Sequence, residues 1–156
     1  MKRSRWRQRG NALIEAGLAI PAFFLLFAGV SDFGRSFWFF NEAVSASRDA
    51  AQVVVNNYPS YATTTTNDSS ITSALAADNN MSGLSGTVSR FYTCPNSSGD
   101  DGGTQYAYTP GTTTPTCSPY RIYVKIQASA PFTAVTPHPM ILYPSHVYGT
   151  AIVRVQ

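Results

Sequence analysis

The sequence predicts an α+β fold in which a long N-terminal helix, transmembrane in its first half and amphipathic in its second, packs on a small antiparallel β-sheet head. A nearly uninterrupted apolar run extends from Ala12 to Val30, and an apolar stripe with helical spacing continues to about Val55. Strand-like alternation follows from Tyr120 to Ala130 and from His146 to Val155. These patterns in a chain of 156 residues predict one modest head domain plus the helix.

The first half of the helix has the length and composition of a membrane-spanning segment. An α-helix rises about 1.5 Å per residue and a bilayer core is about 30 Å thick, so residues 12–31 just span it. The run is apolar on all sides and carries one charge, Glu15. By the positive-inside rule, a basic leader holds the N-terminus in the cytoplasm and leaves the rest of the chain outside. The cations of this leader are Lys2, Arg3, Arg5, Arg7 and Arg9.

Two other interpretations of the apolar run remain open. A buried core helix of a soluble protein would be equally apolar, but it would give the basic leader no purpose. A cleaved secretory signal could use Val44-Ser45-Ala46 as its cleavage site. Such signals have an apolar stretch of about 7–15 residues. The run here is longer, and the aromatic residues 37–40 stand between it and the small residues.

Beyond the apolar run, the spacing of apolar residues predicts that the same helix continues and packs on the head. The stripe alternates steps of four and three residues, which places it on one helical face. Asn56 to Pro59 ends the helix, because a residue before proline disfavours helical dihedrals. Pro21 predicts a kink in the membrane half. The stripe consists of Phe33, Phe37, Phe40, Val44, Ser47, Ala51 and Val54.

The remaining sequence predicts a head built from one short helix and an antiparallel sheet. Ser70 is placed to cap a helix from Ile71 to Asn79, and Gly83 and Gly86 open a strand that runs through Tyr92. The Gly-, Ser-, Thr- and Pro-rich residues 95–119 predict a long surface loop. Cys94 and Cys117 flank this loop, and an even pair in an oxidising compartment predicts one disulfide.

The composition and the polar residues argue against nucleic-acid binding and catalysis. Without the five leader cations, six basic side chains face eight acidic ones, so no basic patch remains for nucleic acid. His138 and His146 lack metal-ligand spacing, and Asp100-Asp101-Gly102 lacks the alternating ligands of a calcium loop, which favours a solvated turn. We therefore predict a protein that is not an enzyme, with no catalytic residues, no metal site and no cofactor.

Several short motifs in the helix resemble one known family. They are Arg9-Gly10-Asn11-Ala12-Leu13-Ile14-Glu15-Ala16, Pro21, Leu25-Leu26, Gly29, Asp32-Phe33-Gly34-Arg35 and Ala46-Ser47-Arg48-Asp49-Ala50-Ala51. In combination they resemble the TadE-like family, the minor pilins or pseudopilins of tight-adherence type IV pilus systems. The resemblance is good over about residues 5–55, and it is loose over the last thirty residues. It implies a pilin-like fold.

The resemblance also implies how the helix is processed and used. A prepilin peptidase would cut between Gly10 and Asn11, and Glu15 would register the subunit against its neighbour. Pro21 and the segment Phe33-Gly34-Arg35 would take part in assembly. The implied divisions are a cleaved leader at 1–10, a transmembrane half-helix at 11–31, an exterior half-helix at 32–57 and a disulfide-stapled head at 58–156.

The function that this resemblance implies is structural. The chain would be a minor pilin or pseudopilin that joins a tight-adherence pilus, within it or at its base or tip, and supports adhesion or pilus biogenesis. Its partners would be the membrane, the prepilin peptidase, other pilins and the assembly platform. It would lie in a bacterial inner membrane with its head in the periplasm, or outside the cell in a pilus. The alternative is a single-pass anchor that presents a periplasmic binding or enzymatic domain.

Overall fold

The computed structural model describes residues 4–57, 68–77, 81–96, 98–101, 103–135 and 144–155, with side chains from residue 12 onward. Within these residues, two helices and four strands form in the order α1, α2, β1, β2, β3, β4, which confirms the predicted α+β class. Their bounds are α1 Ser4–Asn56, α2 Asp68–Ala77, β1 Ser85–Thr93, β2 Tyr106–Ala107, β3 Arg121–Pro131 and β4 His146–Arg154.

Helix α1 is a single element of 53 residues that contains Pro21. It begins at Ser4, eight residues before the predicted start, because the residues of the leader are also helical. It ends at Asn56, as predicted, and the Asn57 side-chain amide donates a hydrogen bond of 2.8 Å to the Val53 carbonyl. That bond satisfies one of the carbonyl groups left open in the last turn. The predicted kink at Pro21 stays a prediction.

The chain divides into two compact units, and α1 contributes to both. The first unit contains α1 up to Phe37 and, among the described residues, Ala134 and Val135 from the segment after β3. The second unit contains the rest of α1, α2 and the sheet.

The sheet is four-stranded and antiparallel, in the order β2-β1-β3-β4. The central strand β3 pairs along its length with both neighbours, so that Ile126 lies opposite Val88 on one side and Ala151 on the other. Every second residue of β3, from Ile122 to Ala130, is buried. This alternation confirms the predicted half-buried sheet with one face toward a core.

Small residues of α1 form the helical side of that core. Ala43, Ala46, Ala50 and Val54 are fully buried, and they share the core with residues of β3 such as Ile126. A methyl group added at Gly149 of β4 would lie 2.1 Å from the Ala43 carbonyl oxygen. The helix backbone therefore approaches the sheet too closely for any larger residue at Gly149.

The structure corrects the first part of the predicted apolar stripe. Ser47, Ala51 and Val54 are buried as predicted, but Phe33 and Phe37 are 70% and 58% exposed. Phe40 is also 45% exposed. The buried face carries alanines, because large aromatic rings would hold α1 away from a sheet that it approaches as closely as Gly149 requires. The aromatic residues lie on other sides of the helix.

Two local predictions in the head were also wrong. Helix α2 begins at Asp68, so Ser70 lies within its first turn and does not cap it. The Asp68 carboxylate carries favourable charge for a helix start and forms an ion pair with Arg90, with Nη1 3.0 Å from Oδ2. The short strand β2 lies inside the segment predicted as loop, because two residues cannot display a period of two.

Candidate functional site

The first half of α1 exposes a continuous apolar surface. Burying such a surface contributes about 25 cal/mol per Å², so its exposure implies a lipid or protein partner. Among the described residues, one helix, within Ala12–Asn56, is long and apolar enough to cross a membrane. The large apolar residues that are more than half exposed here are Leu13, Ile14, Leu18, Ile20, Phe23, Phe24, Leu25, Leu26, Phe27 and Val30.

Glu15 is the one acidic side chain on this surface. It is exposed among the apolar residues, and no described residue forms an ion pair or hydrogen bond with it. A carboxylate at the centre of a bilayer costs about 2.5–3.5 kcal/mol on insertion scales. A cationic partner beside Glu15 would reduce that cost, and the described part of the chain supplies none.

The predicted cleavage site lies within α1. Gly10 and Asn11 are both helical, although their side chains are outside the described set. The predicted boundary between leader and helix is therefore not a boundary of secondary structure. Cleavage between these two residues stays a prediction.

The glycines of α1 leave its surface open to close approach by another helix. Methyl groups added at Gly17, Gly29 or Gly34 would meet nothing within 4 Å. Four apolar side chains of α1 line a shallow depression of about 240 Å³. Small residues of this kind let helix backbones approach one another in membranes. The lining residues are Ile20, Phe23, Phe24 and Phe27.

The segment Asp32-Phe33-Gly34-Arg35 contains both buried and exposed residues. Asp32 is 1% exposed, and its carboxylate accepts a hydrogen bond of 3.0 Å from the backbone N–H of Val135. Arg35 Nη1 lies 3.7 Å from the same carboxylate. Phe33 is exposed, so of the three predicted assembly residues in this segment it is the one that offers a large apolar surface. The role of Asp32 was missed at the sequence level, although an Asp followed three residues later by an Arg is a signal for an ion pair.

The predicted disulfide is present in the head. Cys94 and Cys117 are joined with their Cα atoms 5.8 Å apart and a separation of 23 positions in sequence. Cys94 directly follows β1, and Cys117 lies shortly before β3, so the bond closes the loop where two paired strands meet it. Strand β2 and stacking between Tyr92 and Tyr106, at 5.1 Å, also attach this loop to the sheet.

The acidic turn in the loop is exposed at Asp100 and Asp101, as predicted, and Asp101 also bonds to the sheet. The Asp101 carboxylate accepts hydrogen bonds from the Tyr123 hydroxyl and from Arg121, both on β3. These bonds lower the pKa of Asp101, the tyrosine bond most strongly. Burial, and then the bond to Asp101, raises the pKa of Tyr123. Asp100 is exposed, and Gly102 lies outside the described residues.

Of the two histidines, the structure describes His146. His146 begins β4, where its ring stacks near Tyr148 at 6.3 Å and its Nδ1 lies 3.2 Å from the Ser145 hydroxyl. His138 lies outside the described residues. Within the described ranges, no group of three or more His, Cys, Asp or Glu residues could hold a metal ion.

Comparison with known proteins finds that α1 is similar to one family. The family model described as TadE-like protein matches residues 10–52, which confirms the resemblance predicted from the sequence. The matched segment contains Glu15, Pro21 and the residues from Asp32 to Arg35. This family is associated with Tad pili and is not an enzyme family. No curated protein and no solved structure matches the chain.

Proposed function

We propose that this protein is a minor pilin or pseudopilin of a tight-adherence type IV pilus. In this role α1 first holds the subunit in the inner membrane and then packs among the helices of other pilins. The head stays on the periplasmic side or is carried outside in the pilus. The observation that carries the proposal is the exposed apolar surface around Glu15, within the segment that matches the TadE-like family.

Helix α1 supports this role because its surface suits two environments in succession. Lipid covers the apolar side chains before assembly, and apolar helices of other subunits cover them afterwards. The open positions at Gly17 and Gly29 allow such helices to come close. Glu15 would pair with the amino group that cleavage frees on a neighbouring subunit, which offsets the cost of placing a carboxylate in an apolar bundle.

Leader cleavage is the step that separates this function from the alternative. A pilin loses residues 1–10 to a prepilin peptidase, and the new N-terminus is Asn11. A single-pass anchor that presents a periplasmic domain keeps its leader. The alternative draws support only from the presence of a folded head with a disulfide.

Crosslinking in cells tests the proposal. Phe23 is 71% exposed, and a photoreactive residue in its place should capture other pilins in cells with a complete pilus system. The same residue at position 49, an exposed site on the second half of α1, reports capture that does not depend on the apolar surface. Capture of lipid alone at position 23, in cells that assemble pili, would contradict the proposal.

A further inference from the structure

The sheet presents a polar outer face, opposite the face that packs on α1 and α2. Alternate residues of β1, β3 and β4 share this face, and the strand registers arrange them in rows. One row joins Ser85, Ser129 and Tyr148, and the next joins Thr87, Gln127 and Thr150. Hydroxyl and amide groups therefore cover the end of the sheet where β1 begins.

These two rows contain a depression in the surface. Its volume is about 290 Å³, just below the range for small-molecule sites, which is about 300–1,000 Å³. All of its lining residues belong to the compact unit that contains the sheet. They are Ser85, Gly86, Thr87, Gln127, Ser129 and Tyr148.

The lining of the depression carries hydrogen-bonding groups but no carboxylate, ammonium or guanidinium group. Each hydroxyl can both donate and accept, and the Gln127 amide offers both functions side by side. Across the described residues, no hydrogen bond engages the side chains of Thr87 or Gln127. These groups are available to a ligand that is itself rich in donors and acceptors and has no net charge.

Tyr148 supplies an aromatic surface at the edge of the depression. It is 52% exposed, and the His146 ring stacks near it at an interplanar angle of 24°. The face of an aromatic ring carries negative potential, which attracts polarised C–H groups. A pyranose ring has such C–H groups on one face and hydroxyl groups at its edge.

We propose that this depression binds a neutral saccharide, with one pyranose ring against Tyr148 and its hydroxyl groups bonded to Gln127, Thr87 and Ser129. The lining excludes acidic sugars as preferred ligands, because it offers no cation to offset desolvation of their carboxylates. The partner is a neutral glycan on a surface that the head meets. If the proposed pilus function holds, this site would make the subunit an adhesive one.

The experiment uses the full chain in phospholipid nanodiscs, because maltoside or glucoside detergents carry the very group under test. Binding is measured by saturation-transfer NMR against oligosaccharides of glucose, galactose and N-acetylglucosamine, and against oligogalacturonate as the acidic counterpart. At least one neutral oligosaccharide should bind, and the acidic one should bind more weakly. No binding of any neutral oligosaccharide, or stronger binding of the acidic one, would overturn the proposal.

Variants locate the binding on the sheet. Tyr148→Ala should weaken binding about tenfold by removing the stacked ring, whereas Tyr148→Phe should retain most of it. Ile152→Ala is the matched control, since Ile152 is also 52% exposed on the same strand and does not line the depression. This control should change the affinity by less than about twofold.

A second variant keeps the test decisive if Tyr148→Ala folds poorly. Thr87→Lys places a long charged side chain over the depression from an exposed position and leaves Tyr148 in place. It should abolish binding of the neutral oligosaccharide. Unchanged binding of the neutral oligosaccharide by folded Thr87→Lys would overturn the proposal. The proposal would also be wrong if Tyr148→Ala left the affinity for the sugar constant and instead abolished self-association of the chain.

The proposed saccharide site and the proposed pilus function can be tested independently of each other. Leader cleavage and pilin capture depend on α1 and are measured in cells, whereas saccharide binding depends on the outer face of the sheet and is measured on isolated chain. Loss of one result with retention of the other identifies which proposal is wrong.

Discussion

The Val135 backbone N–H donates a hydrogen bond of 3.0 Å to the buried carboxylate of Asp32, which joins the segment after β3 to α1 just beyond the apolar run. The two residues are 103 positions apart in sequence. Asp32 lies within the segment that matches the TadE-like family, and Val135 lies outside it. The family segment thus has a specific contact with the rest of the chain.

Removal of the Asp32 carboxylate should free the Val135 amide. Asp32→Ala removes this hydrogen bond, which contributes about 0.5–1.5 kcal/mol net, and Asp32→Asn keeps an acceptor and should cost less. Hydrogen exchange at Val135 measures the effect, with fast exchange expected in Asp32→Ala. Asp49→Ala, at an exposed position of the same helix, is the control. Equal protection of Val135 in all variants would contradict this account.

Close packing between α1 and the sheet gives a second prediction. Gly149→Ala places a methyl group 2.1 Å from the Ala43 carbonyl oxygen, so the backbone must shift. Overpacking of this kind typically costs about 1–3 kcal/mol. Gly34→Ala, where a methyl group meets nothing within 4 Å, should be neutral or stabilise the helix by up to about 1 kcal/mol. Urea unfolding followed by circular dichroism compares them, and equal midpoints would show that the contact is not tight.

The disulfide should stabilise the head without taking part in chemistry. Closing a loop with 23 residues of separation contributes about 3 kcal/mol in the chain-entropy model. The double variant Cys94→Ser and Cys117→Ser should therefore lower the free energy of unfolding and speed proteolysis, with membrane insertion unchanged. Because β2 and Asp101 still attach the middle of the loop, proteolysis should begin outside the segment between them. If a thiol reagent labelled Cys94 and Cys117 in exported protein that had not been reduced, the disulfide would be absent and this prediction would be wrong.

The hydrogen bonds that attach Asp101 to β3 should weaken at both low and high pH. The pKa of Asp101 is lowered from 3.8, so its contribution is present above that value and is lost as the pH falls through the lower folded value. The pKa of Tyr123 is raised from 10.0, so its contribution is present below that value and is lost as the pH rises through the higher folded value. The loop should thus be equally protected from protease at every pH between 3.8 and 10.0, the ordinary pKa values of these two groups. Asp101→Asn should weaken the protection within that range.

The sequence predicted those parts of the molecule that repeat a pattern. Helix α1 from Ala12 onward, the alternation of β3 and the pairing of Cys94 with Cys117 followed from periodicity and composition. The burial of Asp32 could not be predicted this way, because its partner, the Val135 N–H, lies 103 positions away in sequence. Likewise, the partners of Asp101 come from a strand 20 residues away, and no local pattern identifies them.

The position of Glu15 predicts an effect on assembly that is separate from insertion. The surrounding run stays apolar enough to insert with or without the carboxylate, so Glu15→Ala should still reach the membrane. It should lose capture of partner pilins from position 23. Glu42→Ala, on the second half of α1, is a matched control that should assemble normally. Full partner capture by Glu15→Ala would reduce Glu15 to a residue at the membrane interface.

The central claim, that this chain is a processed pilin subunit, is tested most directly by the N-terminus of the protein from native membranes. Intact mass and N-terminal sequencing should find Asn11 first in cells with an active prepilin peptidase. Deletion of the peptidase, or Gly10→Phe, should leave the leader attached. A native N-terminus at Met1 or Lys2 in peptidase-positive cells that assemble pili would contradict the claim and favour a single-pass anchor.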